Sequence, residues 1–163
     1  MGLCMQGGTL SMPSEVTIRP ATEWDITNIL TLVALWIEEA SHGFIGNVCA
    51  STGVYAAECV RSKLVLLAQY QDEVIGLLIL KENIQPWDER ARFIVDEIFF
   101  VKKEYRATNA ATLLLKRYKK ILDDTGMCGI LIMDNGTDME RKDQFMRRYG
   151  FKRVGCSYSY GEM

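Results

Sequence analysis

Histidine is almost missing from this chain. His42 is the single one, and the five cysteines, Cys4, Cys49, Cys59, Cys128 and Cys156, are scattered without a C-x-x-C pair. Zinc sites need such ligands in closely spaced pairs, so no metal site is expected. Unpaired thiols in odd number also argue against a disulfide framework; they read as reduced, mostly buried small apolar residues of a cytoplasmic protein. No run approaches the ~18 apolar residues of a membrane span, and "MGLCMQGGTLSMPS" has neither the basic region nor the apolar core of a signal peptide, so no membrane partner is expected. An excess of one charge is lacking too. With 19 basic and 21 acidic residues the net charge is -2, and the field of the whole molecule does not favour nucleic acid. The densest basic stretch, "FMRRYGFKRV", reads as a solvated helix end.

What is present suits one α/β domain. Residues 1–14 are expected to form a flexible tail and residues 15–163 a single domain, large enough to bury roughly 70% of the surface its unfolded chain exposes. "VTIRP" is a short strand. Thr22 and Asp25 have the spacing of a capping box, and Ile26, Ile29, Leu30, Val33 and Ile37 then recur on one helical face. "STGVYAAECVRS" can form a second helix. "KLVLLAQY" and "EVIGLLILKE" read as a hairpin buried on both faces, with Asp88 and Glu89 in the loop that follows and Phe93–Val101 as the next strand. Ala111, Leu114, Leu115, Tyr118 and Leu122 mark an amphipathic helix ended near Thr125 and Gly126. "GILIM" reads as a buried strand, Met139–Tyr149 as a charged helix, and "KRVGCSYSY" alternates as a terminal strand. The order is β-α-α-β-β-β-α-β-α-β, a mixed, mostly antiparallel sheet flanked by helices.

Two stretches bear on chemistry. "EYRATNAATLLL" looks like a phosphate-binding turn entering a helix, where unpaired N–H groups and the positive dipole end favour an anion, yet it has no glycine. Asn109 is the residue best able to replace glycine where φ must be positive. The alternative is an ordinary polar helix start with Arg106 solvated. In "RFIVDEIFFV" two adjacent acids interrupt an apolar strand, and neither can be buried without a partner. Alternation puts Glu97 on the face of Val95 and Phe99, with Asp96 opposite. A cleft carboxylate and a structural ion pair with an arginine both fit.

The element order, with "VTIRPAT..D", "FFVKKEYRATNAATLLL" and "FMRRYGFKRVG", resembles the GCN5-related N-acetyltransferase (GNAT) family over Val16 to Tyr160. That resemblance implies an acetyl-CoA-dependent transferase acting on an amine by direct transfer in a ternary complex. The family's turn reads Q/R-x-x-G-x-G/A: Arg106 matches its first position, Asn109 stands at the glycine and Ala111 at the last, while Ala107 occupies a place where many members have another glycine. Lys103, Arg106, Ala107, Thr108, Asn109, Ala110, Ala111 and Thr112 would then bind the diphosphate of acetyl-CoA, and the strand edge at Phe99, Phe100 and Val101 its pantetheine arm. Glu97 matches a glutamate that faces the substrate amine in the polyamine and aminoglycoside branches.

The tyrosine that protonates the departing thiolate is replaced by Met146, leaving Tyr149, Tyr158, Tyr160 or water. His42 falls in the region that usually shapes the acceptor pocket. Glu38, Glu39, Asp88, Glu89, Asp96 and Glu97 near that side favour a cationic acceptor, a small molecule or a protein amine, and a homodimer is compatible with the resemblance. The departures at Ala107, Asn109 and Met146 fit a second reading, a non-catalytic module of this fold that binds CoA, an acyl carrier or a protein partner.

Overall fold

The computed structural model describes residues 15–40, 48–132 and 138–154. The chain forms β1 (Val16–Pro20), α1 (Ile26–Ala40), α2 (Ala50–Arg61), β2 (Val65–Tyr70), β3 (Glu73–Gln85), β4 (Asp88–Val101), α3 (Ala110–Thr125), β5 (Cys128–Ile130) and α4 (Met139–Arg148). Short 3-10 turns precede α1 and α3. The five strands lie side by side in chain order, antiparallel except for the parallel pair β4–β5. A parallel pair needs a crossover, and α3 supplies it.

The central strands are apolar at successive positions because both faces of the sheet are covered. Leu66, Ala68, Leu78 and Leu80 pack with Ala110, Leu114, Leu115 and Tyr118 of α3. Leu67, Leu77 and Ile79 pack with Ile29, Leu32 and Val33 of α1 and with Ala56 and Val60 of α2. The turn between β1 and α1 is held by a buried charge. Asp25 is 4% exposed, and its carboxylate accepts from Thr22 N–H and Thr22 Oγ1 at 2.8 and 2.9 Å and from both arms of Arg19 at 2.8 and 2.7 Å. The Arg19 bonds, outweighing the effect of burial, hold this carboxyl well below the usual carboxylate range. At the far end of α3, Gly126 takes the left-handed φ of 67° that ends a helix.

Several sequence expectations are corrected here. Asp88 and Glu89 are not in a loop: they begin β4, while β3 continues to Gln85, so the two strands form a long hairpin closed at Pro86 and Trp87. Proline is tolerated there because a turn residue has no ladder bond to lose. β5 is not buried. Cys128 and Ile130 are exposed, because only three of its residues pair with β4 and no other strand among the described residues flanks it. Cys49 is exposed as well, and only Cys59 of the described cysteines is half-buried. Most of "KRVGCSYSY" lies outside the described residues, and residues 152–154 form no strand.

Candidate active site

β4 carries an irregularity that sets up the site. Ile79 pairs with Ile98 but the next residue, Leu80, pairs with Asp96, leaving Glu97 as an extra residue in a β-bulge. Glu97 and Ile98 consequently both turn to the α1/α2 side, while Asp96 and Phe99 turn to the α3 side. The expected alternation, with Glu97 and Phe99 on one face, is broken at this point. A bulge leaves no trace in a string of residue types, so periodicity alone misses it.

The same stretch marks where β4 and β5 part. Their ladder covers only Phe93–Val95 with Cys128–Ile130. Tyr118, fully buried, pins the strands just before they separate, its hydroxyl donating to Ile94 O at 2.6 Å and lying 3.3 Å from Ile130 O. Gly129 leaves room for that hydroxyl, since a Cβ there would sit 2.6 Å from it. Beyond Val95 the Asp96 carboxylate accepts the Ile132 N–H at 2.6 Å in place of a strand carbonyl. From Asp96 to Val101 the β5 side of β4 therefore has no strand partner among the described residues.

Glu97 sits at the head of this open edge with three α2 and β3 groups that the sequence did not single out. Tyr55 donates its hydroxyl to Glu97 Oε2, and Lys81 Nζ lies 3.5 Å from Oε1. Burial first, and then the bond to Glu97, push the Tyr55 hydroxyl far up, so it stays a donor across the working pH range. Cys59, one turn further along α2, is raised mainly by burial. The spacing Tyr55-x-x-x-Cys59 on one face of α2 was readable; its partnership with Glu97 spans 42 residues and was not. The ion-pair alternative for Glu97 resolves to a lysine and a tyrosine, Lys81 and Tyr55.

The turn after β4 is built without glycine and without a left-handed residue. Asn109 has φ −86° and ψ 10°, and no residue from Glu104 to Thr112 has positive φ. The expected need for a left-handed residue at Asn109 is thus overturned: a 3-10 turn at Lys103–Tyr105 feeds the chain into α3 with ordinary backbone angles. Thr108 Oγ1 donates to Tyr105 O at 2.6 Å and accepts from Ala110 N–H at 3.3 Å. The first intrahelical bond is Leu113 N–H to Asn109 O, so the N–H groups of Ala111 and Thr112 have no acceptor within α3 and face its N-terminal end. Ala107 and Asn109 are exposed beside them, as is Lys103.

Arg106, expected at the phosphates, is engaged with the protein. Nε donates to Val101 O at 3.0 Å, Nη2 pairs with Glu39 at 2.5 Å, and the guanidinium lies over the Phe100 ring, 5.7 Å from its centroid. It joins the end of α1 to the end of β4. Phe100 and Val101 are buried in the core, on opposite faces, with Phe99 half-buried.

At least four of the six acids expected to attract a cation are engaged: Glu39 with Arg106, Asp96 with Ile132 N–H, Glu97 with Tyr55 and Lys81, and Asp88 with the Arg90 N–H. Tyr149 lies on the α3 side, away from the face of Glu97, its hydroxyl 3.2 Å from Thr112 Oγ1. Met146 packs against the core on that same side. Tyr158, Tyr160 and His42 lie outside the described residues.

This architecture recurs in solved acetyltransferases. A "predicted acetyltransferase" from Clostridium acetobutylicum, solved with acetyl-CoA, superposes with a TM-score of 0.71 at 13% identity, over 90% of this chain and 96% of that one. An aminoglycoside acetyltransferase from an uncultured soil metagenomic sample gives 0.70 at 18% identity, over 90% and 98%. Arabidopsis thaliana Naa50, in complex with a CoA bisubstrate analogue, gives 0.67 at 16% identity, over 91% of each chain. At such identities the likeness is one of fold: the chain has the fold of the GNAT acetyltransferases, as its element order implied. No protein-family model and no curated protein matches the sequence.

Proposed function

We propose that the protein is an acetyl-CoA-dependent N-acetyltransferase that moves an acetyl group to a primary amine by direct transfer in a ternary complex. The observation that carries this reading is the bulge at Glu97, which turns a carboxylate onto the α1/α2 side where the β4 edge opens, within a fold shared with acetyltransferases. The residues present fit acetyl-CoA. The N–H groups of Ala111 and Thr112 suit its diphosphate, with Ala107 and Asn109 beside them and Lys103 near in chain to neutralise charge. The open β4 edge by Phe99 and Phe100 suits the amide-bearing pantetheine arm, whereas the Val101 carbonyl is already taken by Arg106.

Acetyl-CoA supplies the thioester; the chain supplies position and proton handling. An alkyl ammonium of pKa ~10.4 must lose a proton before it can attack, and Glu97 is the group placed to accept it. Tyr55 fixes the carboxylate by bonding Oε2, so that Oε1, which Lys81 Nζ approaches at 3.5 Å, is the oxygen an amine meets. A thiolate with pKa near ~8.5 is already a fair leaving group, so water suffices in place of the tyrosine replaced by Met146, Tyr149 lying on the other face. The acceptor class is an amine. Engaged acids lend less support to a strongly cationic one than the sequence suggested.

The test is release of free thiol from acetyl-CoA with a panel of polyamines, amino acids, aminoglycosides and peptides, alongside calorimetric titration with coenzyme A. Acceptor-dependent release that drops on the order of 100-fold in Glu97→Gln is the expected result. Coenzyme A binding without release for any acceptor would favour the non-catalytic module instead, the reading that Met146 motivates.

A further inference from the structure

We infer that Lys81 is itself an acetyl acceptor, a self-acetylation site in the same chain; this rests on the transferase reading above. Lys81 Nζ lies 3.5 Å from Glu97 Oε1, and its side chain is 59% exposed, so the amine is at once beside the proton acceptor and free to move. Lys102 and Lys120 pair instead with Glu73 and Asp124, not with Glu97. The order of groups along β4 supplies the rest. The phosphate-binding turn follows Val101, so a donor lying along the open edge from that turn meets Val101 first and Glu97 last, which brings its acyl end to the carboxylate that Lys81 faces.

The step balances without another reactant. The Lys81 ammonium gives one proton to the Glu97 carboxylate, its lone pair forms the C–N bond to the acetyl carbon, the C–S bond breaks with its electron pair leaving on the thiolate, and the second proton of the acylated nitrogen passes to that thiolate. Lys81 becomes a neutral amide. It then no longer competes with an external amine for Glu97, whose remaining bond is to Tyr55. When no acceptor is bound, Lys81 holds the amine position; once acetylated, it leaves the carboxylate to the substrate.

The experiment incubates the full chain with acetyl-CoA without acceptor and follows each lysine by peptide mass mapping, with coenzyme A affinity measured on the same samples by calorimetry. Lys116 and Lys120, exposed on α3, report the background of chemical acetylation. A general base is worth on the order of 100-fold, so Lys81 is expected to acetylate about 100-fold faster than those two, and Glu97→Gln to bring it down to their rate. Lys81→Arg removes the labelled peptide while retaining coenzyme A affinity. Labelling of Lys81 no faster than Lys116, in wild-type protein that binds coenzyme A, overturns the inference and leaves the transferase reading standing. Failure of wild-type protein to bind coenzyme A overturns both.

Discussion

Replacing Arg106 by alanine separates a brace from a phosphate ligand. In the free protein the change removes a charge-assisted bond to Val101 O, a pair with Glu39 and a contact over Phe100. Taken singly these are worth roughly 1.5–3, 0.2–1 and 0.5–1 kcal/mol. The side chains of Arg106 and Glu39 are 41% and 36% exposed, so solvent screening and non-additivity pull the total toward the low end, about 2 kcal/mol. For a chain of this size that corresponds to a fall in Tm of about 4–8 °C. Urea unfolding followed by circular dichroism measures it, and Glu39→Gln should lose less than about 1 kcal/mol. Lysine sharpens the test: it carries the charge but cannot span Val101 O and Glu39 in one planar fork. Arg106→Lys should therefore weaken coenzyme A binding nearly as much as alanine does. If lysine restores affinity while alanine loses it, or if alanine leaves stability within about 0.5 kcal/mol of wild type, Arg106 acts by charge on the ligand and the brace is refuted.

Because Asn109 already has negative φ, Asn109→Gly relieves no strain, and coenzyme A affinity should change by less than about twofold in calorimetry; a clear tightening would restore the positive-φ argument. Gly129→Ala would press a methyl group on Leu122 and the Tyr118 hydroxyl and should destabilise by about 1–3 kcal/mol, read from the urea midpoint. For Asp25, whose carboxyl is held low by Arg19, the contribution is complete above the ordinary carboxylate pKa of ~3.9 and is lost as pH falls below it. With the Arg19 side chain 36% exposed, wild type should lose about 1–2 kcal/mol more than Asp25→Asn between pH 6 and acid pH, and parallel stability–pH curves would contradict this.

Element order was legible because helical and strand periods differ and because the doubly buried strands "VLLA" and "VIGLLIL" can only be central. The hairpin beyond Glu82 was not, since "NIQPWDERA" has the polarity and proline of a loop and is held as strand by pairing alone. Glu97 could be picked out as an expensive residue in an apolar strand, but its face could not, because the bulge depends on register with β3. Tyr55 and Lys81 were invisible for the same reason: their meaning comes from distance in space, not from neighbours in sequence. At Asn109 the pattern led to a left-handed residue where the backbone is regular, and at Arg106 it could not show the bonds to Val101 O and Glu39 that the guanidinium makes.

The bulge at Glu97 shifts the register between β3 and β4 by one residue. Delete Glu97 and the pairs on either side, Leu80 with Asp96 and Ile79 with Ile98, become consecutive, so the ladder closes without a gap and every core side chain keeps its face. The strand would lose nothing that holds the sheet together and only the carboxylate that Tyr55 and Lys81 meet. The proposed chemistry is thus, in genetic terms, one codon removable from the architecture that carries it.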